Sequence, residues 1–189
     1  ALGTLAALGL SRPHMPYKGL IMAILISPMI VPLIITAAGM FFFYARINLV
    51  YTFTGVILAH VALATPFVVI TVTATLVGFD MNMVKAAQSL GAKPIRTFFK
   101  VIMPLILPGI ISGALFAFIT SFDEVVIVMF MASIDQLTIP KQMWAGIRQE
   151  ISPVILCMAT CLVLLSIFLL TTVELLRRRS EKLRGIKAR

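Results

Sequence analysis

Four long uncharged, mainly apolar runs dominate the 189 residues. They are Gly19–Ala45 (27 residues), Ile47–Phe79 (33), Val101–Phe122 (22) and Ile151–Val173 (23). A helix needs about 20 apolar residues to cross the hydrocarbon core of a bilayer. The pattern predicts membrane spans at roughly 20–44, 52–76, 105–131 and 152–175. Backbone groups in lipid must find partners within their own segment, and runs this long and evenly apolar fit helices rather than barrel strands. Pro28 and Pro32 in the first span, and Pro66 in the second, each remove one ladder hydrogen bond and predict bends. Residues 1–10, ALGTLAALGL, are apolar but too short to cross. With no basic stretch ahead of them they do not form a signal peptide. They read as the end of a helix, so the chain is expected to be the C-terminal part of a longer protein.

Composition removes the soluble alternative. Hydrophobic residues make up 60% of the chain, charged residues 12%, and the mean hydropathy is +1.07. A soluble chain of this size has no interior able to hide four such runs. The net charge of +9 would suggest nucleic acid on a soluble domain. Here the cations sit in connectors and tail, with no aromatic–basic interleaving to stack bases, so no nucleic-acid partner is expected. Connector 11–19 holds Arg12 and Lys18, and connector 80–104 holds Lys85, Lys93, Arg96 and Lys100 against Asp80. Connector 132–150 balances Lys141 and Arg148 against Asp135 and Glu150. The positive-inside rule then places 11–19, 80–104 and the C-terminus in the cytoplasm, and the links near Arg46 and at 132–150 outside. This divides the chain into a membrane domain, 1–176, and a basic tail, 177–189. The tail is foremost an orientation signal, with a lipid-headgroup anchor as the alternative.

The connector 80–104 has its own design. Asp80 is suited to cap a short helix over about 81–90, Gly91 to end it in a left-handed conformation, and Pro94 to open a second helix with Ile95, Phe98 and Phe99. Ala86 and Ala87 let another surface approach closely. Two readings stand on these residues alone: a docking surface for a soluble partner, or an amphipathic linker resting on headgroups.

Lys85-Ala86-Ala87, three residues, Gly91, nine residues, then Val101-Ile102-Met103-Pro104 resembles the signature E-A-A-x3-G-x9-[IV]-x-L-P. That signature marks the permease subunits of binding-protein-dependent ABC importers. Ser121-Phe122-Asp123-Glu124-Val125-Val126, Leu137 to Trp144 and Ile151-Ser152-Pro153 are similar to permeases of the spermidine/putrescine type. The resemblance covers essentially the whole chain. It implies an all-α integral membrane fold, the transmembrane domain of a type I importer. Of its six helices, the last four spans and a stub would be present. It also implies that Lys85, Ala86, Ala87, Gly91 and Pro104 belong to a coupling segment docked on an ATP-hydrolysing subunit. The implied partners are a second permease in a heterodimer, two ATP-binding subunits that hold ATP and Mg, and a substrate-binding protein outside the inner membrane. The implied cargo is a small cation such as a polyamine; an opine, an amino-acid derivative or another small cation is the alternative. Two positions depart from the signature: Lys85 replaces the usual Glu, reversing its charge, and Met103 replaces the usual Leu.

Asp123 and Glu124 are the most informative residues in the apolar part. At 1.5 Å per residue from Pro108, Asp123 lies roughly 22 Å along its helix, where an ionised group is costly. A substrate pathway, a gate or packing hydrogen bond, and a wet helix end all fit, and adjacent residues diverge by about 100°, so one of the two is expected to face a lumen. Asp135 and Glu150, with Trp144, are candidates for the outer mouth; Trp144 also suits a headgroup-level anchor or a contact with the binding protein. His60 within its span is expected to pack or to bond another helix rather than relay protons. Cys157 and Cys161, one turn apart, are poorly placed for a disulfide and too few for a metal site, and read as small packing residues. The sequence holds no phosphate-binding G-x-x-x-x-G-K-[ST] loop and no nucleophile–His or paired-carboxylate arrangement. It is therefore not expected to be an enzyme or to hold a cofactor or metal itself. A secondary transporter, which would need intramembrane coupling-ion groups and often an internal repeat, fits less well.

Overall fold

The structure is a computed structural model that describes residues 1–12, 14–77, 79–80, 82–149 and 152–183. Glu150 and the last six residues of the tail lie outside the described residues. The described chain is helical: α1 (Leu2–Leu10), α2 (Lys18–Ile30), α3 (Leu33–Arg46), α4 (Phe53–Val77), α5 (Asn82–Ser89), α6 (Pro94–Thr97), α7 (Met103–Phe122), α8 (Val126–Met131), α9 (Ile139–Gln149) and α10 (Pro153–Leu183). A π-helical turn, Phe98–Ile102, joins α6 to α7.

Three helical stretches are long and apolar enough to cross a membrane: Phe53–Val77, Pro94–Phe122 and Pro153–Thr172. The expected first span, 20–44, is not one straight helix. It is the pair α2 and α3, bent by 108° at Val31 and Pro32. Pro28 is carried inside α2, whereas Pro32 stands in extended backbone at ψ 130 and turns the chain. The expected third span, 105–131, also divides: α7 ends at Phe122 and α8 starts at Val126. The short second helix expected from Pro94 instead continues through the π turn into α7. α10 runs without interruption across the expected 176/177 boundary, supported by an Arg178–Glu174 ion pair at 2.8 Å one turn apart.

α4 is the central pillar, and its main neighbour is α7, followed by α1. Lipid tails are as apolar as Leu, so helices in a bilayer associate through close packing and interhelical hydrogen bonds, and small residues gather where backbones meet. α7 supplies Gly109 and Gly113, four residues apart. A Cβ on Gly113 would lie 2.8 Å from the Val68 Cα, and one on Gly109 would lie 3.0 Å from the Thr71 carbonyl. Both glycines are therefore required by backbone contact with α4. Thr71 and Thr75 turn their hydroxyls back onto the Phe67 and Thr71 carbonyls, each at 2.9 Å, so the seam buries no unpaired hydroxyl from these two residues.

Two apolar clusters occupy opposite halves of α4. One joins Ala7, Val72 and Ile106 with Leu8, Leu76 and Ile102. It brings the end of α1 beside the end of α4 and the start of α7. The connectors 11–17 and 80–103 therefore lie at the same end of the molecule. The other cluster joins Ala37, Ala59, Leu63, Ile127 and Met131, with Phe41 and Phe130 at its edge. Beside it, the Tyr51 N–H donates to the Met131 carbonyl at 2.9 Å and Gln136 Nε2 donates to the Tyr51 carbonyl at 3.2 Å. The links after α3 and after α8 therefore share the opposite end, matching the alternation read from the charges. From Pro153 to Thr172, no residue of α10 is buried. Cys157 and Cys161 are free and exposed on it, so they do not pack inside this chain.

Candidate functional site

The interruption between α7 and α8 brings most of the chemistry together. Asp123 closes α7 at φ −90, its N–H donating to the Ile119 carbonyl at 3.1 Å. Glu124 then turns inward and is only 5% exposed. Its Oε1 accepts from the Ile127 N–H at 2.6 Å and its Oε2 from the Val128 N–H at 3.0 Å. Both oxygens thus cap the first turn of α8, where unpaired N–H groups and the helix dipole favour a negative charge. The carboxylate of Asp123 faces outward instead. Asp123 and Glu124 both line a cleft of about 430 Å³ with Leu33, Leu63 and Thr120, and Asp123 also lines a second space of about 430 Å³ between α7 and α10 with Phe118, Phe122 and Met143. Leu33 is the first residue after the bend in α2–α3, so the first cleft lies where the two interrupted spans meet. The two adjacent acids are separated by this geometry: Glu124 is committed to the backbone, and Asp123 is the exposed carboxylate.

Ser121, two residues before Asp123, is tied to the central helix. Its Oγ lies 2.8 Å from Nδ1 of His60 on α4. The expectation that His60 bonds another helix is met by this contact. Sequence reasoning quoted Ser121 only as part of a motif and did not foresee its bond to His60, nor the packing of Gly109 and Gly113 on α4. The Gly-x-x-x-Gly spacing was the available signal for the glycines, whereas Ser121 carries no local signal because its partner is 61 residues away.

Asp135 and Trp144 are not brought to this cleft. Asp135 is exposed in the turn between α8 and α9. Trp144 is exposed on α9, with the Arg148 guanidinium 5.5 Å from its ring centre. Glu150 lies outside the described residues. Lys141 reaches back to the Ser133 carbonyl at 3.4 Å and the Ala132 carbonyl at 3.5 Å, just beyond the end of α8.

The connector at the other end folds much as its residues direct. Asp80 Oδ1 accepts from the Asn82 N–H at 2.9 Å and opens α5. The Gly91 N–H donates to Gln88 O at 2.9 Å and the Ala92 N–H to Ala87 O at 3.0 Å, with Gly91 at φ +80. This is the paired bonding of a Schellman ending, in which a left-handed residue follows the helix. Lys85 and Ala86 are exposed, Ala87 is half-buried, and α5 has no buried residue. Pro104 lies inside the first turn of α7. Among the described residues no group of three or more His, Cys, Asp or Glu side chains is placed to hold a metal ion.

An all-α chain with several helices long and apolar enough to cross a membrane, joined by an exposed helical connector, has the architecture of an integral membrane protein. Residues 1–182 match the family of binding-protein-dependent transport system inner membrane components, and the chain belongs to that family. It is similar to the spermidine/putrescine transport system permease protein PotC of Haemophilus influenzae, at 30% identity over 180 residues, 95% of this chain and 70% of that protein. The protein of the same name in Escherichia coli K12 is 29% identical over 181 residues, covering 96% and 69% of the two chains. The putrescine transport system permease protein PotI of the same organism is 37% identical over 103 residues, 54% and 37% of the two chains. The protein is thus an ABC importer permease that moves a small solute, a multi-pass component of the inner membrane and a non-catalytic transport subunit. Family membership implies the usual partners: a second permease, an ATPase and a substrate-binding protein.

Proposed function

We propose that the solute is a small organic cation, a polyamine such as spermidine or putrescine, and that it passes Asp123. The observation that carries this reading is the division between the two acids. Glu124 has both oxygens engaged by backbone N–H groups, which leaves Asp123 exposed where two interrupted spans meet. A carboxylate that faces a cavity at membrane depth is placed to attract an ammonium group. The names of the similar permeases support the same class of cargo. Asp135 and Glu150 add negative charge toward the mouth, with Trp144 at headgroup level.

In this reading the connector 80–104, with Lys85, Ala86, Ala87, Gly91 and Pro104, docks on an ATP-binding subunit in the cytoplasm, and the C-terminus lies on the same side. ATP and Mg are held by two such subunits. Their closure draws the connectors of this chain and a second permease together, the helices tilt, and a binding protein outside releases its cargo into the opened cavity. Hydrolysis of the bound ATP to ADP and phosphate, and their release, lets the subunits part and restores the inward-facing state.

The test is ATPase activity of the complete purified complex with its binding protein, with and without spermidine or putrescine. Polyamine-dependent stimulation is expected. Stimulation by the binding protein without any polyamine effect would move the cargo to an opine, an amino-acid derivative or another cation. A permease that copurifies with no ATPase would overturn the coupling role of residues 80–104.

A further inference from the structure

We infer that the partner groove receiving residues 80–104 is apolar at its floor and lined by carboxylates at its rim. The inference rests on the docking role proposed above and specifies the chemistry of the surface it meets.

Lys85, Lys93, Arg96 and Lys100 fall within sixteen residues, and among the described residues none of them forms an ion pair. The one nearby acid, Asp80, spends a carboxylate oxygen on the Asn82 N–H. Between these cations stand apolar side chains with nothing over them: Leu90 is 88% exposed, Ile95 74% and Phe99 61%. A cleft of about 270 Å³ runs between the end of α5 and the α6–π segment, with Ala87, Leu90 and Val101 in its wall and Arg96 and Lys100 beside them. Apolar contact surrounded by like charge is complementary to an apolar groove with opposite charge at its edge.

An anionic bilayer shares the charge, but two features favour a protein. The Schellman ending at Gly91 fixes the direction in which the chain leaves α5, a defined shape that a fluid headgroup layer does not require. Ala86 and Ala87 offer close approach to a solid surface, whereas a helix that lies in lipid presents large apolar side chains. Lys85 then has a positive role: it meets a carboxylate where the usual Glu of the signature would be repelled.

The experiment uses the complete complex in nanodiscs of neutral lipid. Retention of the ATPase subunit is measured against salt for the native chain and for Lys85→Glu, Arg96→Glu and Lys100→Gln. All three side chains are exposed, so the spans fold in each variant. Native affinity should fall steadily with salt, each of the two reversals should weaken retention by about tenfold, and the neutral Lys100→Gln should weaken it by less. The loss for Lys85→Glu should be recovered by replacing a facing carboxylate of the ATPase with Lys. Tighter retention by Lys85→Glu, or salt-independent retention of the native chain, would overturn the acidic rim while leaving the docking role intact. Retention that appears only in anionic nanodiscs would assign the cations to lipid and also overturn the inference. Absence of any ATPase subunit with the native chain at low salt would instead sink the docking role itself.

Discussion

His60 and Ser121 join α4 to α7 across the half-buried seam beside the α7–α8 interruption, with imidazole Nδ1 2.8 Å from the hydroxyl Oγ. The bond fixes the end of α7 two residues before its exposed carboxylate. Interhelical hydrogen bonds in membranes contribute about 0.6 kcal/mol on average and ~1.7 at most. Ser121→Ala should destabilise the purified permease within that range, read from thermal unfolding in detergent. Ser121→Thr, which keeps a hydroxyl, should recover most of the loss.

Neighbouring acids should respond oppositely to neutralisation. Glu124→Ala leaves the Ile127 and Val128 N–H groups without acceptors in a buried turn and should cost about 2–3 kcal/mol, with poor assembly of the complex. Asp123→Asn removes a charge that caps nothing. It should leave thermal stability unchanged and reduce uptake of labelled polyamine by proteoliposomes about tenfold or more. A stability loss for Asp123→Asn equal to that of Glu124→Ala would remove the distinction between the two residues.

At the glycine seam the sign is set by backbone rather than side chain. Gly113→Ala places a methyl 2.8 Å from the Val68 Cα, and neither helix can yield without moving the other. Overpacking of this kind costs about 1–3 kcal/mol. Gly9→Ala, where a Cβ meets nothing within 4 Å, is the control and should be silent in the same unfolding assay.

Gly91 is predicted to matter for coupling rather than folding. A Cβ there also meets nothing within 4 Å, but φ is +80, and a side chain in the left-handed region costs roughly 1–2 kcal/mol. Gly91→Ala should lower binding-protein-stimulated ATPase activity while the complex still assembles. Gly91→Asn should be milder, because Asn tolerates that conformation.

The sequence by itself determined that the chain lives in a membrane, where its connectors alternate, and how the segment 80–104 turns. Each of these rests on local chemistry: twenty apolar residues commit a helix to lipid, Asp80 caps the next helix, and only glycine accepts φ +80 at no cost. Hydropathy was silent about direction. Residues 105–131 are equally apolar on both sides of the interruption at Asp123–Val125, and Pro28 and Pro32 look alike in sequence, although one stays inside α2 and the other turns the chain by 108°. Only the tertiary structure decided that α8 is a separate helix packed on α3, that Glu124 is buried and serves its backbone while Asp123 stays exposed, and that Ser121 meets His60. The reason is physical. Which of two adjacent carboxylates is solvated and which is buried depends on the backbone turn between them, and that turn is held by contacts from residues 60 to 90 positions away.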